Sequence, residues 1–450
     1  MRTKNGALIK AFYINRRFIK KREDIEGGFM RKKIAEVVDG KRVIIKKPEL
    51  LAPAGSLEKL KVAVSFGADA VFIGGKKFGL RSSAKNFSIA EIGEGVEFAQ
   101  QHGAKIYVTT NIIAHDEDLS GLDAYLLDLE RVGVTGIIVA DPYIIHRAQA
   151  VAPKLEIHVS TQQSILNWRS AKFFEEQGAY RVVLARETSQ KEIQEILDKT
   201  DVEIEVFIHG AMCIAYSGRC TLSNYMTSRD SNRGGCCQSC RWEYDLLTQQ
   251  EDELVATVDE AAPQFSMSAK DLSLIEAIPA MIEMGIDSLK IEGRMKSVHY
   301  IATIVSSYRT LIDRYCADPD NFVFDEATIH ELQKAANRAT SESFFHTFPD
   351  EDQQLFNSRN EHPNQEFIGM ALGFDADLQL LKVEQRNLFK VGDTIEFFGP
   401  KMEKITYVVP QMFNEAKEPI ERANHPQEII YLPFSQQLPA YTLIRIVARA

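Results

Sequence analysis

Residues 48–75, PELLAPAGSLEKLKVAVSFGADAVFIGG, contain one full repeat of the fold. ELLAPAG (49–55) and AVFIGG (70–75) are short, nearly continuous apolar runs, as expected of strands buried on both faces of a parallel sheet. Between them LEKLKVAVSF (57–66) spaces Leu57, Leu60 and Val64 along one helical stripe. Gly67-Ala68 then supplies the glycine that suits a helix C-cap turning the chain back into the sheet. The result is a strand–helix–strand unit. LAPAGSLEKL offers a single glycine after the first strand, where the dinucleotide-binding form of a doubly wound sheet needs GxGxxG.

Working outward, the unit repeats through KIYVTTN (105–111), GIIVAD (136–141), EIHVST (156–161), RVVLAR (181–186), IEVFIHG (204–210) and SLKIEG (288–293). Amphipathic stretches at 122–132 and 170–178 lie between them, with further glycine steps at Gly103, Gly133, Gly178 and Gly285. Eight such strands predict an α/β fold, a TIM-like (β/α)8 barrel over 48–328. The gap of about 80 residues between the seventh and eighth strands requires an insertion, placed at 211–265. Residues 329–364 read as a linker or peripheral helix. From Phe367 the texture changes to alternating runs (FIGMALGF, LQLLKVEQ, DTIEFFG, KITYVVP, EIIYLPF, YTLIRIVA), which predict a small all-β barrel domain over 365–450.

The 450 residues suffice for two or three domains with real cores. There is no run of eighteen apolar residues, which argues against a membrane span. MRTKNGALIKAFYINRR has no apolar core with a cleavage site, so a cytoplasmic location is expected. The net charge of −10 is uneven: residues 1–48 carry 15 Lys and Arg against 5 Asp and Glu, leaving the rest strongly acidic. Residues 1–47 therefore read as a basic N-terminal extension, open to a nucleic-acid role, to disorder, or to a start at Met30 instead.

Five of the six cysteines fall between Cys213 and Cys240, in CIAYSGRC and CCQSC. The first pair follows the seventh strand by three residues, at the barrel end where active sites gather. Four thiolates converging from two segments hold zinc or an iron–sulfur cluster, and spacing alone does not choose between them. The set Cys213, Cys220, Cys236 and Cys240 leaves Cys237 spare, although Cys237 could replace Cys236. Cys316, in the helical YRTLIDRYC, reads as structural.

Polar residues near strand ends nominate the mouth: Asn111, Asp141, His158, Ser160, Gln162, Arg186, Glu187, His209, Glu292 and Arg294. Of these His158, Arg186, Glu187, His209, Glu292 and Arg294 are the catalytic candidates. Arg supplies a bidentate clamp for a carboxylate, and Lys290 and Lys296 add charge. The competing reading is that the charged pairs are structural salt bridges. His146 and His299 read as surface or core residues, and Arg81-Ser82-Ser83-Ala84 as a loop able to meet an anion. HExxH and GxSxG are both absent.

EVFIHGAMCIAYSGRCTLSNYM (205–226) resembles the signature of the peptidase U32 family of collagenase-like proteases. The stretches 48–75, NRGGCCQSCRWEY (232–244) and SLKIEGRMKSVHY (288–300) agree with it, so the resemblance covers about 48–320. Length and C-terminal domain look most like the family's bacterial tRNA hydroxylation proteins. That resemblance implies 5-hydroxylation of uridine 34 at the tRNA wobble position, with prephenate as co-substrate. It also implies an iron–sulfur cluster, of the 4Fe-4S type, on Cys213, Cys220, Cys236 and Cys240. The partners implied are tRNA at its anticodon region, prephenate and a paralogous U32 protein. Zinc is the alternative metal; a peptidase and a noncatalytic RNA-binding or assembly factor are the alternative functions.

Overall fold

The computed structural model describes residues 34–38, 41–80, 86–244, 247–250, 253–256, 266–335, 338–355 and 367–449. Eight parallel strands follow the predicted runs: β1 (Glu49–Pro53), β2 (Ala70–Gly74), β3 (Lys105–Thr110), β4 (Gly136–Val139), β5 (Glu156–Val159), β6 (Arg181–Val183), β7 (Glu203–Gly210) and β8 (Ser288–Ile291). Each pairs with its successor, and β8 pairs with both β7 and β1, closing the barrel. Helices α1 (Leu57–Ser65), α2 (Ile89–Gln101), α3 (Leu122–Arg131), α4 (Pro142–Val151), α5 (Trp168–Glu176) and α6 (Gln190–Lys199) alternate with the strands. Short α7 (Leu222–Thr227) lies in the cysteine region, and α8 (Ile278–Met284) precedes β8. The long α9 (Val298–Ala317) and then α10 (Glu326–Gln333) follow it. Ser56, Ser88, Asp141, Asn167, Ser189 and Ser297 cap helices α1, α2, α4, α5, α6 and α9 by accepting from backbone N–H groups.

The apolar runs conceal a charged interior. Leu51, Ala70, Phe72, Tyr107 and Ile138 form a small core of their own. Beside them Arg181, 2% exposed, reaches Glu49 at 2.6 Å, Glu203 at 2.9 Å and Glu205 at 3.2 Å. Lys290 donates to Glu205 at 2.7 Å, and the Tyr107 hydroxyl to Glu49 at 2.7 Å. Burial opposes the Arg181 charge, but Glu49 and Glu205 outweigh it and keep the guanidinium protonated.

In the basic head Ala35–Val38 pairs antiparallel with Lys41–Ile44. Its cations meet acids at the end of the barrel where the strands begin: Arg42 pairs with Glu283, Lys46 with Asp287 at 2.8 Å, and Lys47 with Asp313.

The C-terminal strands are β9 (Phe367–Asp375), β10 (Leu380–Gln385), β11 (Thr394–Phe398), β12 (Ile405–Val408), β13 (Met412–Phe413), β14 (Pro419–Ile420), β15 (Ile429–Pro433) and β16 (Leu443–Ala448). They form one sheet ordered β12-β11-β16-β9-β10-β15-β13-β14, a half-barrel around Ile368, Leu381, Val383, Ile395, Phe397, Ile430, Leu432 and Ile444. The half-barrel docks on the barrel helices through Phe66–Phe398 and His299–Phe367 ring contacts and through Arg386–Glu58 and Arg445–Glu331 ion pairs. Between β8 and β9 the chain also returns to the cysteine side: Thr340–Ser341 pairs with Asp271–Leu272, and Gln354–Leu355 with Ser268–Ala269.

Candidate functional site

The mouth is built where β6, β7 and β8 end. Arg186 leaves β6 and lays its guanidinium 4.0 Å over the Phe207 ring. Its Nη2 lies 3.5 Å from Glu292 beyond β8, and its Nη1 lies 4.0 Å from the Cys213 sulfur. The charged pair at the mouth thus joins two strands rather than the sequence neighbours Arg186 and Glu187. Glu187 does something else: both carboxylate oxygens accept from Ser217, one from its N–H and one from its hydroxyl, at 3.0 Å each. That grip, with Ser164 donating to the Ser217 carbonyl and Arg219 to the Ser164 hydroxyl at 3.1 Å, ties the Cys213–Cys220 loop to the ends of β5 and β6.

The second cysteine segment is held on the first. Asn232 donates to the Cys220 carbonyl at 3.2 Å, the Ser223 hydroxyl meets that of Ser239 at 3.4 Å, and Arg233 pairs with Glu117 and Asp118. Burial raises the Cys240 thiol above its ordinary range, and Cys213, Cys236 and Cys220 raise it further, so these four sulfurs share one neighbourhood. Cys237 is turned elsewhere: its sulfur lies 3.3 Å from the Ser223 hydroxyl and 3.4 Å from that of Thr227, which lower its pKa to about 7. Among the described residues no three His, Cys, Asp or Glu side chains are arranged to hold a single metal ion. Four free thiols from two neighbouring segments are donors of the kind that zinc or an iron–sulfur cluster takes, and the Cys237 sulfur is engaged by hydroxyls instead.

The two histidines expected at the mouth are not there. His158 is fully buried in the barrel interior, with Nε2 3.1 Å from Glu156. Burial, reinforced by Arg181 and Lys290, pushes its pKa well down and keeps it neutral. His209 is displaced by a β-bulge: Lys290 pairs with Phe207 but Ile291 with His209, leaving Ile208 as the extra residue. The His209 ring therefore packs between Tyr300 and Tyr308 of α9. The Tyr308 hydroxyl donates to the Ile208 carbonyl at 3.0 Å, so it accepts from His209 Nδ1 at 3.3 Å. Burial lowers the His209 pKa to about 3.

Arg294 is buried, its guanidinium lying over Gly74 in the space a side chain there would take. Lys290 belongs to the interior network, Asp141 caps α4, and Asn111 reaches Ser160 at 3.4 Å. Arg81 to Ala84 lie outside the described residues. The Ser217 grip and the group around Asp271, which has Arg241 at 3.9 Å and Arg338 at 3.8 Å, escaped the sequence reading. Both depend on segments too short to show periodicity. A cavity of about 110 Å³ beside Cys213 is lined by Glu187, Tyr216, Lys270, Ser341 and Gln353 among others. A larger groove of about 740 Å³, between α1, α9 and the Phe398–Lys404 turn, shares no lining residue with it.

A closed (β/α)8 barrel with a thiol-rich insertion at its mouth and a C-terminal β half-barrel defines the class. The family model for peptidase family U32 matches residues 55–355, and that for its C-terminal domain matches 363–445. The chain belongs to peptidase family U32. It is 56% identical over 413 residues to the Bacillus subtilis tRNA hydroxylation protein P1, covering 92% of this chain and 98% of that protein. It is 32% identical to the Escherichia coli tRNA hydroxylation protein P, over 87% of this chain and 95% of the relative. The Escherichia coli 23S rRNA 5-hydroxycytidine C2501 synthase shares 41% identity over 265 residues, which is 59% of this chain but 39% of the synthase. Among the described residues no helix is long and apolar enough to cross a membrane.

Proposed function

We propose that this protein hydroxylates tRNA in the cytoplasm, converting uridine 34 to 5-hydroxyuridine with prephenate as co-substrate. The observation that carries the reading is the likeness, along nearly the whole chain, to a protein named for tRNA hydroxylation. Replacing C5–H by C5–OH is a two-electron oxidation, for which the 20 common side chains offer no reagent. Cys213, Cys220, Cys236 and Cys240 would hold an iron–sulfur cluster, which when bound supplies one-electron chemistry. Zinc has no redox chemistry of its own, so the oxidation proposed here favours the cluster over zinc.

Arg186 would receive a carboxylate of prephenate. Phe207 supports one face of its guanidinium and Glu292, 3.5 Å away, orients it at the mouth. Glu187 positions the Cys213 loop rather than meeting the substrate. Peptidase chemistry finds less support, because the hydrogen bonds of His158 and His209 go to Glu156 and Tyr308 rather than to a nucleophile.

The test is mass spectrometry of wobble nucleosides from a strain lacking this gene and any paralogue. Loss of 5-hydroxyuridine and its derivatives, restored by the gene, is expected; unchanged levels would overturn the proposal.

A further inference from the structure

Large apolar side chains stand in solvent along the cysteine-bearing segments. Ile214, Tyr216, Tyr225, Met226 and Trp242 are all exposed within 29 residues of chain, Tyr225 at 87%, Tyr216 at 50% and Trp242 at 41%. A ring left in water contributes little to folding, so three of them around one site call for an occupant. They rise from the segments that carry the thiols. Tyr216 lies between Cys213 and Cys220, Tyr225 sits on α7, and Trp242 is two residues past Cys240. α7 and the Ser239–Arg241 turn are joined by the Ser223–Ser239 contact and by the Cys237 N–H donating to Ser223 at 3.2 Å. The charge is also local: residues 211–244 hold Arg219, Arg229, Arg233 and Arg241 against Asp230 and Glu243, within an otherwise acidic body. Arg219 and Arg229 are exposed.

We propose that Tyr216, Tyr225 and Trp242 form a stacking platform for the unpaired bases of an RNA loop, with Arg219 and Arg229 meeting its phosphates. The inference rests on the RNA-hydroxylating reading above and adds how the substrate is presented. A duplex hides its base faces, whereas a loop can splay them onto aromatic rings. Such a platform explains how an acidic protein holds a polyanion at this one place. Stacking contributes about 1–3 kcal/mol per base.

The experiment uses the full chain, purified without oxygen, and an anticodon stem–loop RNA with uridine at the wobble position. The sequence has two tryptophans, so Trp168→Phe leaves Trp242 as the only one. Its fluorescence should be quenched by the stem–loop and not by a blunt duplex of the same composition. Tyr216→Ala, Tyr225→Ala and Trp242→Ala should each weaken stem–loop binding about 5- to 150-fold. Tyr225→Phe, which keeps the ring, and Trp242→Phe, which keeps an aromatic face, should each bind more tightly than the matching alanine variant, the former within about threefold of the parent. Unchanged circular dichroism controls for folding. Alanine variants that bind like the parent, or a phenylalanine variant as weak as its alanine counterpart, would overturn the platform. A parent protein that binds no RNA would instead overturn the functional reading beneath it.

Discussion

Cys236 and Cys237 are adjacent in the chain but meet different surroundings. Cys236 acts electrostatically on Cys240, whereas the Cys237 sulfur is held by Ser223 and Thr227. If these four hold the proposed cluster, serine at Cys213, Cys220, Cys236 or Cys240 should abolish the iron and sulfide content and visible absorbance of anaerobically purified protein. Cys237→Ser should keep both. A colourless Cys237→Ser protein would move that residue into the ligand set. Arg186 is the second residue whose role can be isolated. A charged hydrogen bond is worth about 1.5–3 kcal/mol, so if Arg186 holds prephenate as proposed, Arg186→Met should raise the KM for it about 10- to 150-fold with iron content unchanged. Arg186→Lys should recover little, since an ammonium cannot reproduce the planar fork stacked on Phe207.

The loop from Cys213 to Cys220 keeps its position through backbone fit as well as through Glu187. Gly218 has φ +75°, and a Cβ there would stand 2.2 Å from the Gln162 carbonyl oxygen, a backbone atom that cannot swing away. Gly218→Ala should cost about 2 kcal/mol or more and lower the iron content by lifting the loop off β5. Gly103 is the control: it has a similar φ of +74°, but nothing lies within 4 Å of its would-be Cβ. Gly103→Ala should cost about 1 kcal/mol by thermal denaturation and leave the metal untouched. The bulge in β7 works at the same level. One extra residue, Ile208, takes His209 from the mouth and gives it to α9.

Arg445, fully buried, ties the two domains together by pairing with Glu331 of α10 at 2.7 Å and with Glu396 of β11. Burial alone would raise the Glu331 carboxyl, but Arg445, with hydrogen bonds from Lys404 and Lys334, outweighs it and holds the pKa down to about 2. A folded-state pKa below the ordinary 4.5 gives stability that is complete above about pH 4.5 and is lost as pH falls toward 2. Glu331→Gln should cost about 3 kcal/mol at neutral pH, because it leaves Arg445 buried with one partner fewer. Calorimetry should show a lower Tm at pH 7, and a smaller further loss than the parent between pH 4.5 and 2. A variant with the parent's Tm and acid profile would contradict the role given to this pair.

The order of strands and helices was legible from the start, because burying a parallel strand on both faces demands an apolar run and helix packing demands a stripe. All eight barrel strands lie on the runs read as strands, and the six alternating C-terminal runs are all strands. The four thiols stood out for a chemical reason: so many cysteines in so short a polar stretch make no core. Side-chain partners were another matter. Glu49 and Arg181 open their strands and Glu205 and Lys290 lie within theirs, yet barrel closure turns all four inward onto one another. His158 and His209 sit in strands that end at the mouth, but inward alternation buried one and a bulge redirected the other. Local sequence determined which segments are strands, which are helices and which carry thiols, since period and composition act over a few residues. Only the tertiary structure decided which charges meet, because Arg186 and Glu292 are brought together by closing the barrel between residues more than a hundred positions apart.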